Sequence, residues 1–283
     1  MLITKASGET EEFSREKLQY SLARTGASEE TIDLILAAIE PLIEQGITSQ
    51  TLHRLAFNLL KKHNRPMAAK YSVKRAIMDL GPTGYPFERL VGAILKRRSF
   101  EVEIGVTVQG ACVQHEIDAL ARSRSHPPRA KNKQRFIFAE CKFHNKQGRR
   151  TEIKTALYVY ARFLDVVEGL RTREQRDENN AYEQWLVSNT RFTGDAVTFA
   201  VCKGMTLLGW DYPARDGLEK IIERERLYPL TCLTSLTFAQ KRSLLNNDIV
   251  LCSELYDNLG LLRHSLSKGQ EKRIRQEIES LFA

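Results

Sequence analysis

The sequence predicts an α/β protein in three parts: a β-hairpin with four helices, an α/β core, and a mainly helical C-terminal region. Three observations predict it. Apolar residues recur at helical spacing four times within the first 81 positions. After the linker Gly81-Pro82-Thr83-Gly84-Tyr85-Pro86 the pattern turns to strand alternation, and from about residue 228 it is helical again. The 283 residues are about twice the ~150 expected of one domain. The boundaries read as 1–81, 85–212 and 213–283.

The elements follow in order. Ser7-Gly8 supplies the turn of a hairpin within the first thirteen residues. Ser14 caps the first helix, which carries Leu18 and Leu22 and stops at Gly26. Ser28-Glu29-Glu30 opens the second, with Ile32, Ile35, Leu36, Ile39 and Ile43 on one face. Thr48-Ser49 starts the third, and Pro66 suits the first turn of the fourth, which ends at Gly81. Beyond the linker, Phe87, Leu90, Val91, Ile94 and Leu95 make a helix. Residues 100–108 and 113–121 pair as strands across Gly110. A loop over 123–134 leads to a strand over 136–143, a helix over 152–168, and short strands at 185–188 and 206–210. Helix, antiparallel strands, helix and further strands make an α/β sandwich. The last helix runs over 268–281.

Composition excludes several classes. With 42% hydrophobic and 28% charged residues the chain is neither disordered nor collagen-like. No apolar run approaches the ~20 residues that span a bilayer, and the first residues offer no signal-peptide core. No membrane partner is expected. Five unevenly spaced cysteines give no disulfide framework, which points to a reducing, cytoplasmic setting. The net charge of +8 is concentrated: residues 81–160 hold 15 Lys and Arg against 7 Asp and Glu, while both flanks nearly balance. A focused basic segment suits a polyanion, with DNA the leading partner. Arg129, Lys131 and Lys133 stand in a loop without acids, and Lys146, Arg149 and Arg150 extend the tract. Such cations contact phosphates without choosing sequence.

The chemistry concentrates on the strand over 136–143. Alternation puts Glu140 and Lys142 on one face, and Ile137, Ala139, Cys141 and Phe143 on the other. A carboxylate and an ammonium among apolar neighbours are costly unless paired or functional. Asp118 lies on the preceding strand, where adjacent strands can bring it to Glu140. Two close carboxylates suit a hard cation. Glu116 shares the face of Asp118 and is an alternative ligand. Cys112-x-x-His115 and Cys141-x-x-His144 suggest zinc, but a three-residue offset on a strand sends each Cys and His to opposite faces. No serine-nucleophile elbow and no GxxxxGK[ST] loop occurs.

Asp118 followed by Glu140-x-Lys142 resembles the PD-(D/E)xK nuclease signature. With Phe87-Glu88-Arg89-Leu90-Val91 on the preceding helix it is similar to the Mrr-like restriction endonuclease branch. Ile117 stands where a proline often precedes the Asp. The resemblance implies a restriction-endonuclease-like core in which Asp118 and Glu140 hold Mg²⁺ or Mn²⁺, Lys142 assists the water and Glu88 completes the set.

Residues 1–80 resemble the ATP-cone, a nucleotide-sensing module. Ile3-Thr4-Lys5-Ala6-Ser7-Gly8, then Phe13-Ser14-x-x-Lys17, follows its opening. Thr48-x-x-x-Leu52-His53 and Ala69-Lys70-Tyr71-x-x-x-Arg75 match later landmarks. This implies ATP or dATP as a regulatory ligand contacted by Lys5, Lys17 and His53, with Ala6 in place of a family arginine. The combined expectation is a metal-dependent DNA endonuclease in restriction or defence, with DNA repair as the other enzymatic role. The rival from another class is a nucleotide-responsive DNA-binding regulator with a non-catalytic nuclease fold. A homo-oligomer stays open.

Overall fold

A computed structural model describes residues 1–123, 134–174, 180–262 and 266–283. The chain is mixed α/β, as expected, and divides into two compact units. One comprises 1–80, 146–148 and 228–283, and the other 81–145 and 149–227.

The first unit begins with an antiparallel hairpin, β1 (Leu2–Thr4) and β2 (Thr10–Glu12), turned through Gly8 at φ +88°. Helices α1 (Arg15–Ala23), α2 (Glu29–Ile39) and α3 (Ser49–His63) are capped by the Ser14, Ser28 and Thr48 hydroxyls. Leu22, Ile35, Leu36, Ile39, Ala56 and Leu60 form their core. The expected fourth helix is interrupted. Asn64 caps α4 (Arg65–Tyr71), and α5 (Val73–Met78) follows a break at Ser72. The Ser72 hydroxyl donates to the Ala69 carbonyl, the local back-bonding that competes with helix propagation.

The second unit opens with α6 (Tyr85–Arg97), which has Pro86 in its first turn. Its five-stranded sheet has the order β3 (Phe100–Gln109), β4 (Gln114–Ser123), β5 (Arg135–Lys142), β7 (Ala181–Ser188), β9 (Thr206–Leu208). The first three strands pair antiparallel and the last three parallel. The parallel pairs require crossovers. These are α7 (Ile153–Glu174) and α8 (Gly194–Cys202), flanked by a small parallel pair, β6 (Arg150–Thr151) with β8 (Arg191–Phe192). The unit ends in α9 (Leu218–Glu225).

One irregularity shapes the site. The β3–β4 register passes from Ile104↔Ala119 to Val106↔Ile117 and leaves out Gly105 and Asp118. Gly105 has φ +64°, which a side chain would disfavour. Side-chain alternation inverts there. Val102 and Ile104 lie against Gly92 of α6, whereas Val106 and Val108 pack with Ile117, Phe138 and Val166 on the α7 side.

The helical region expected over 213–283 is shared between the units. The chain from 228 carries α10 (Phe238–Asn246), α11 (Cys252–Asp257) and α12 (Lys268–Phe282), and it packs within the first unit. There Thr231 donates to the Ala76 carbonyl at 2.6 Å. Buried Glu277 accepts from the main-chain N–H groups of Thr234 and Ser235, at 2.7 and 3.0 Å. Helical periodicity shows that a segment is amphipathic but not which face receives it. Among the described residues no helix is long and apolar enough to cross a membrane.

Candidate functional site

The β4–β5 ladder ends at Ala119↔Ala139. Immediately beyond it stand Asp118 and Glu140. The Cys141 N–H, no longer in the ladder, donates to Asp118 Oδ2 at 2.7 Å. Glu140 faces α7, where Arg162 donates to its Oε2 at 2.8 Å. Glu88 enters from the first turn of α6. Burial, reinforced by Asp118, Glu116 and Glu140, pushes its carboxyl up to about 7. Burial and then Asp118 raise Glu140 to about 7 as well, against the opposing pull of Arg162. Burial also raises Asp118, although the Cys141 N–H and Arg162 favour its charged form. These carboxylates are half-buried, and burial is the first cause of each shift. Lys142 is exposed at the end of β5, and its charge acts on both Asp118 and Glu140.

Among the described residues no three His, Cys, Asp or Glu side chains form a ready metal-ligating group. Exposed Cys112, buried Cys141 and the two histidines do not converge. His115 pairs with Asp165 at 2.7 Å, and His144 bonds Thr151 at 2.9 Å. Asp118 and Glu140, with Glu88 near them, supply only hard oxygen donors. That set suits Mg²⁺, which takes one or two carboxylates and keeps several waters.

Sequence reading missed Arg162 and the polar network beside Lys142. There the Thr151 hydroxyl meets Ser188 at 2.8 Å, and the Asn189 side chain exchanges hydrogen bonds with the His144 main chain. The Lys142↔Ser188 register places that network beside the lysine. Neither feature has a sequence signal, because each depends on parallel pairing across a long crossover. Lys146, Arg149 and Arg150 are all exposed; Lys146 falls within the first unit and the two arginines within the second. Arg129, Lys131 and Lys133 lie outside the described residues.

In the first unit a cavity of about 210 Å³ is lined by Lys17, His53, Tyr71, Glu11, Phe13 and Leu52, among others. Lys17 and Lys5 both bind Glu11 Oε2 at 3.0 Å, so Lys5 joins the site through that carboxylate. The His53 ring stacks on Tyr71 with centroids 4.5 Å apart, and burial lowers its pKa, which favours the neutral imidazole. The three expected residues therefore converge, two on the cavity and one beside it.

An ATP-cone domain stands at the N-terminus: the ATP cone domain model matches residues 1–80. A second family model, AF1548-like, C-terminal, matches 228–282. An "Uncharacterized protein" of Archaeoglobus fulgidus is 37% identical over 140 residues, 50% of this chain and 69% of the relative. The crystal structure of the protein of unknown function AF1548 superposes with a TM-score of 0.53 at 30% identity, over 70% of this chain and 98% of that one. The chain belongs to the AF1548-like family. The MspJI restriction endonuclease in complex with a 27-mer oligonucleotide gives a TM-score of 0.37 at 9% identity, over 64% of this chain and 36% of that one. That likeness is too low to bear on fold or function.

Proposed function

We propose that the protein is a metal-dependent DNA endonuclease that hydrolyses phosphodiester bonds, with an adenine nucleotide at its cone as regulator. One observation carries the reading. Asp118 and Glu140 stand just beyond the end of the β4–β5 ladder, linked through the Cys141 N–H and Arg162, with half-buried Glu88 in the first turn of α6 and Lys142 exposed at the end of β5. Half-buried carboxylates are costly to hold even when partnered, and a pure binder of DNA gains nothing by facing them toward phosphates.

Asp118 and Glu140 would hold Mg²⁺ or Mn²⁺. Bound there, the cation would supply Lewis-acid polarisation of a phosphoryl oxygen and a more acidic water. The protein's own groups do the rest. The Lys142 ammonium stabilises charge developing on the phosphate. Glu88 would complete the carboxylate set from the first turn of α6. Exposed Arg149 and Arg150 contribute phosphate contacts, and Arg129, Lys131 and Lys133 would add to the affinity. A role in restriction or defence accords with this chemistry.

The test is cleavage of plasmid and linear DNA with and without Mg²⁺ and ATP, compared with Asp118→Ala, Glu140→Ala and Lys142→Ala. Metal-dependent cutting that each substitution abolishes supports the reading. Full activity in all three ends the assignment at this site.

A further inference from the structure

Because the ladder stops at Ala119↔Ala139, backbone pairing does not set the separation of Asp118 and Glu140. Two other links cross the gap. One is the Cys141 N–H on Asp118. The other is Arg162, which reaches from α7 to both strands. It donates through one terminal nitrogen to Glu140 Oε2 at 2.8 Å, and through the other to the main-chain carbonyl of Glu116. Its side chain is 12% exposed, and the guanidinium lies 5.3 Å from the centroid of the Tyr158 ring. It lines a small cavity of about 20 Å³ with Phe138, Val166 and Gln184. A counter-ion for Glu140 would need the carboxylate contact alone. The contact to the Glu116 carbonyl ties that carboxylate to the β4 main chain, two residues from Asp118.

We propose that Arg162 is the positioning residue that fixes the spacing of Asp118 and Glu140 for a divalent cation, by bridging the Glu140 carboxylate to β4 at Glu116. The proposal rests on reading this site as metal-binding. A planar guanidinium serves two acceptors in fixed directions, whereas an ammonium is a point charge on a flexible stem. Arg162→Lys therefore keeps the charge beside Glu140, avoids stranding a buried carboxylate, and removes the bridge. Arg162→Gln removes charge and bridge together.

The experiment is Mn²⁺ titration of the full chain, followed by electron paramagnetic resonance, with the melting temperature of each variant recorded. The expected result is an Mn²⁺ dissociation constant roughly 10–100-fold higher in Arg162→Lys, the range found when partners of metal ligands are removed. In a Glu140→Gln background the same change should shift affinity less than about 2-fold, because the effect runs through Glu140. A purely structural role would weaken both backgrounds alike. Should Arg162→Lys melt below the assay temperature, Arg162→Gln should still weaken Mn²⁺ binding, although loss of the positive charge alone would strengthen it. Wild-type affinity in a folded Arg162 variant overturns the proposal while the metal-site reading stands. No Mn²⁺ binding by the wild type overturns that reading, and the proposal with it.

Discussion

Glu140 and Lys142 share one strand face, yet their surroundings differ. Glu140 is half-buried against α7 and held by Arg162, whereas Lys142 is exposed. The carboxylate is therefore suited to hold a cation, and the ammonium to meet substrate. Asp118→Ala and Glu140→Ala should abolish cleavage and weaken Mn²⁺ binding without eliminating it. Lys142→Ala should leave Mn²⁺ and DNA binding intact and lower kcat on the order of 100–1,000-fold, as for loss of one transition-state donor. Calorimetry beside single-turnover kinetics checks the split, and parallel loss of metal binding in the lysine variant would contradict it. At the cone, Lys5→Ala removes a charge-assisted contact worth about 1.5–3 kcal/mol, so ATP or dATP binding should weaken roughly 10–100-fold. An unchanged titration would place the phosphates elsewhere. Glu140, Lys142 and Asp118 were legible in the sequence because strand alternation makes a charge among apolar neighbours conspicuous. Arg162 was not, because one arginine on a long amphipathic helix looks like any solvated cation until the strands it bridges are in place.

At the level of elements, α7 docks on the β3–β4 turn through Asp165. Its Oδ1 accepts from the Cys112 N–H at 2.8 Å, and its Oδ2 from His115 at 2.7 Å. Those contacts, the Cys112 N–H first, hold its carboxyl down at about 2. A carboxylate depressed in the folded state stabilises fully above its unfolded value of 3.8, and that stability is lost as pH falls toward about 2. Asp165→Asn should lower the melting temperature at pH 7 and flatten its decline between pH 4 and pH 2. An equally steep acid decline in the variant would contradict the assignment. The basic segments make a separate prediction. Neutralising Arg149 and Arg150 together, or Arg129, Lys131 and Lys133 together, should weaken DNA binding alike across sequences. Each lost phosphate contact should reduce the log–log salt slope by about 0.9 on duplex DNA. An unchanged slope would show that the segment points away from substrate. Helix starts at Ser14, Ser28 and Thr48 could be read because capping is local. The break at Ser72 and the inversion at Gly105 could not, since a serine or glycine in a periodic run permits an irregularity without demanding one.

For the whole molecule, the C-terminal segment belongs to the structure of the first unit. Leu230, Leu233, Ile274 and Ile278 are buried, and the Thr231 hydroxyl occupies the Ala76 carbonyl. Ending the chain at residue 227 should leave residues 1–80 short of core and prone to aggregate. Ile278→Ala should cost about 2–5 kcal/mol by denaturant unfolding. A soluble, cooperatively folding 1–227 fragment would contradict this. The return of the chain to its first unit was not legible, because no local pattern names a partner 150 residues away. The absence of a P-loop predicts that ATP, if it alters cleavage, acts by binding, so non-hydrolysable analogues should substitute. The central claim is that the carboxylates at the open end of β4 and β5 carry out metal-dependent DNA hydrolysis. Incubating the purified 283-residue chain with supercoiled plasmid, with Mg²⁺ or with chelator, tests it most directly beside Glu140→Ala. Nicked or linear product that needs the metal and disappears in the variant is predicted. Cleavage that persists in chelator or in Glu140→Ala, or intact plasmid throughout, would contradict it.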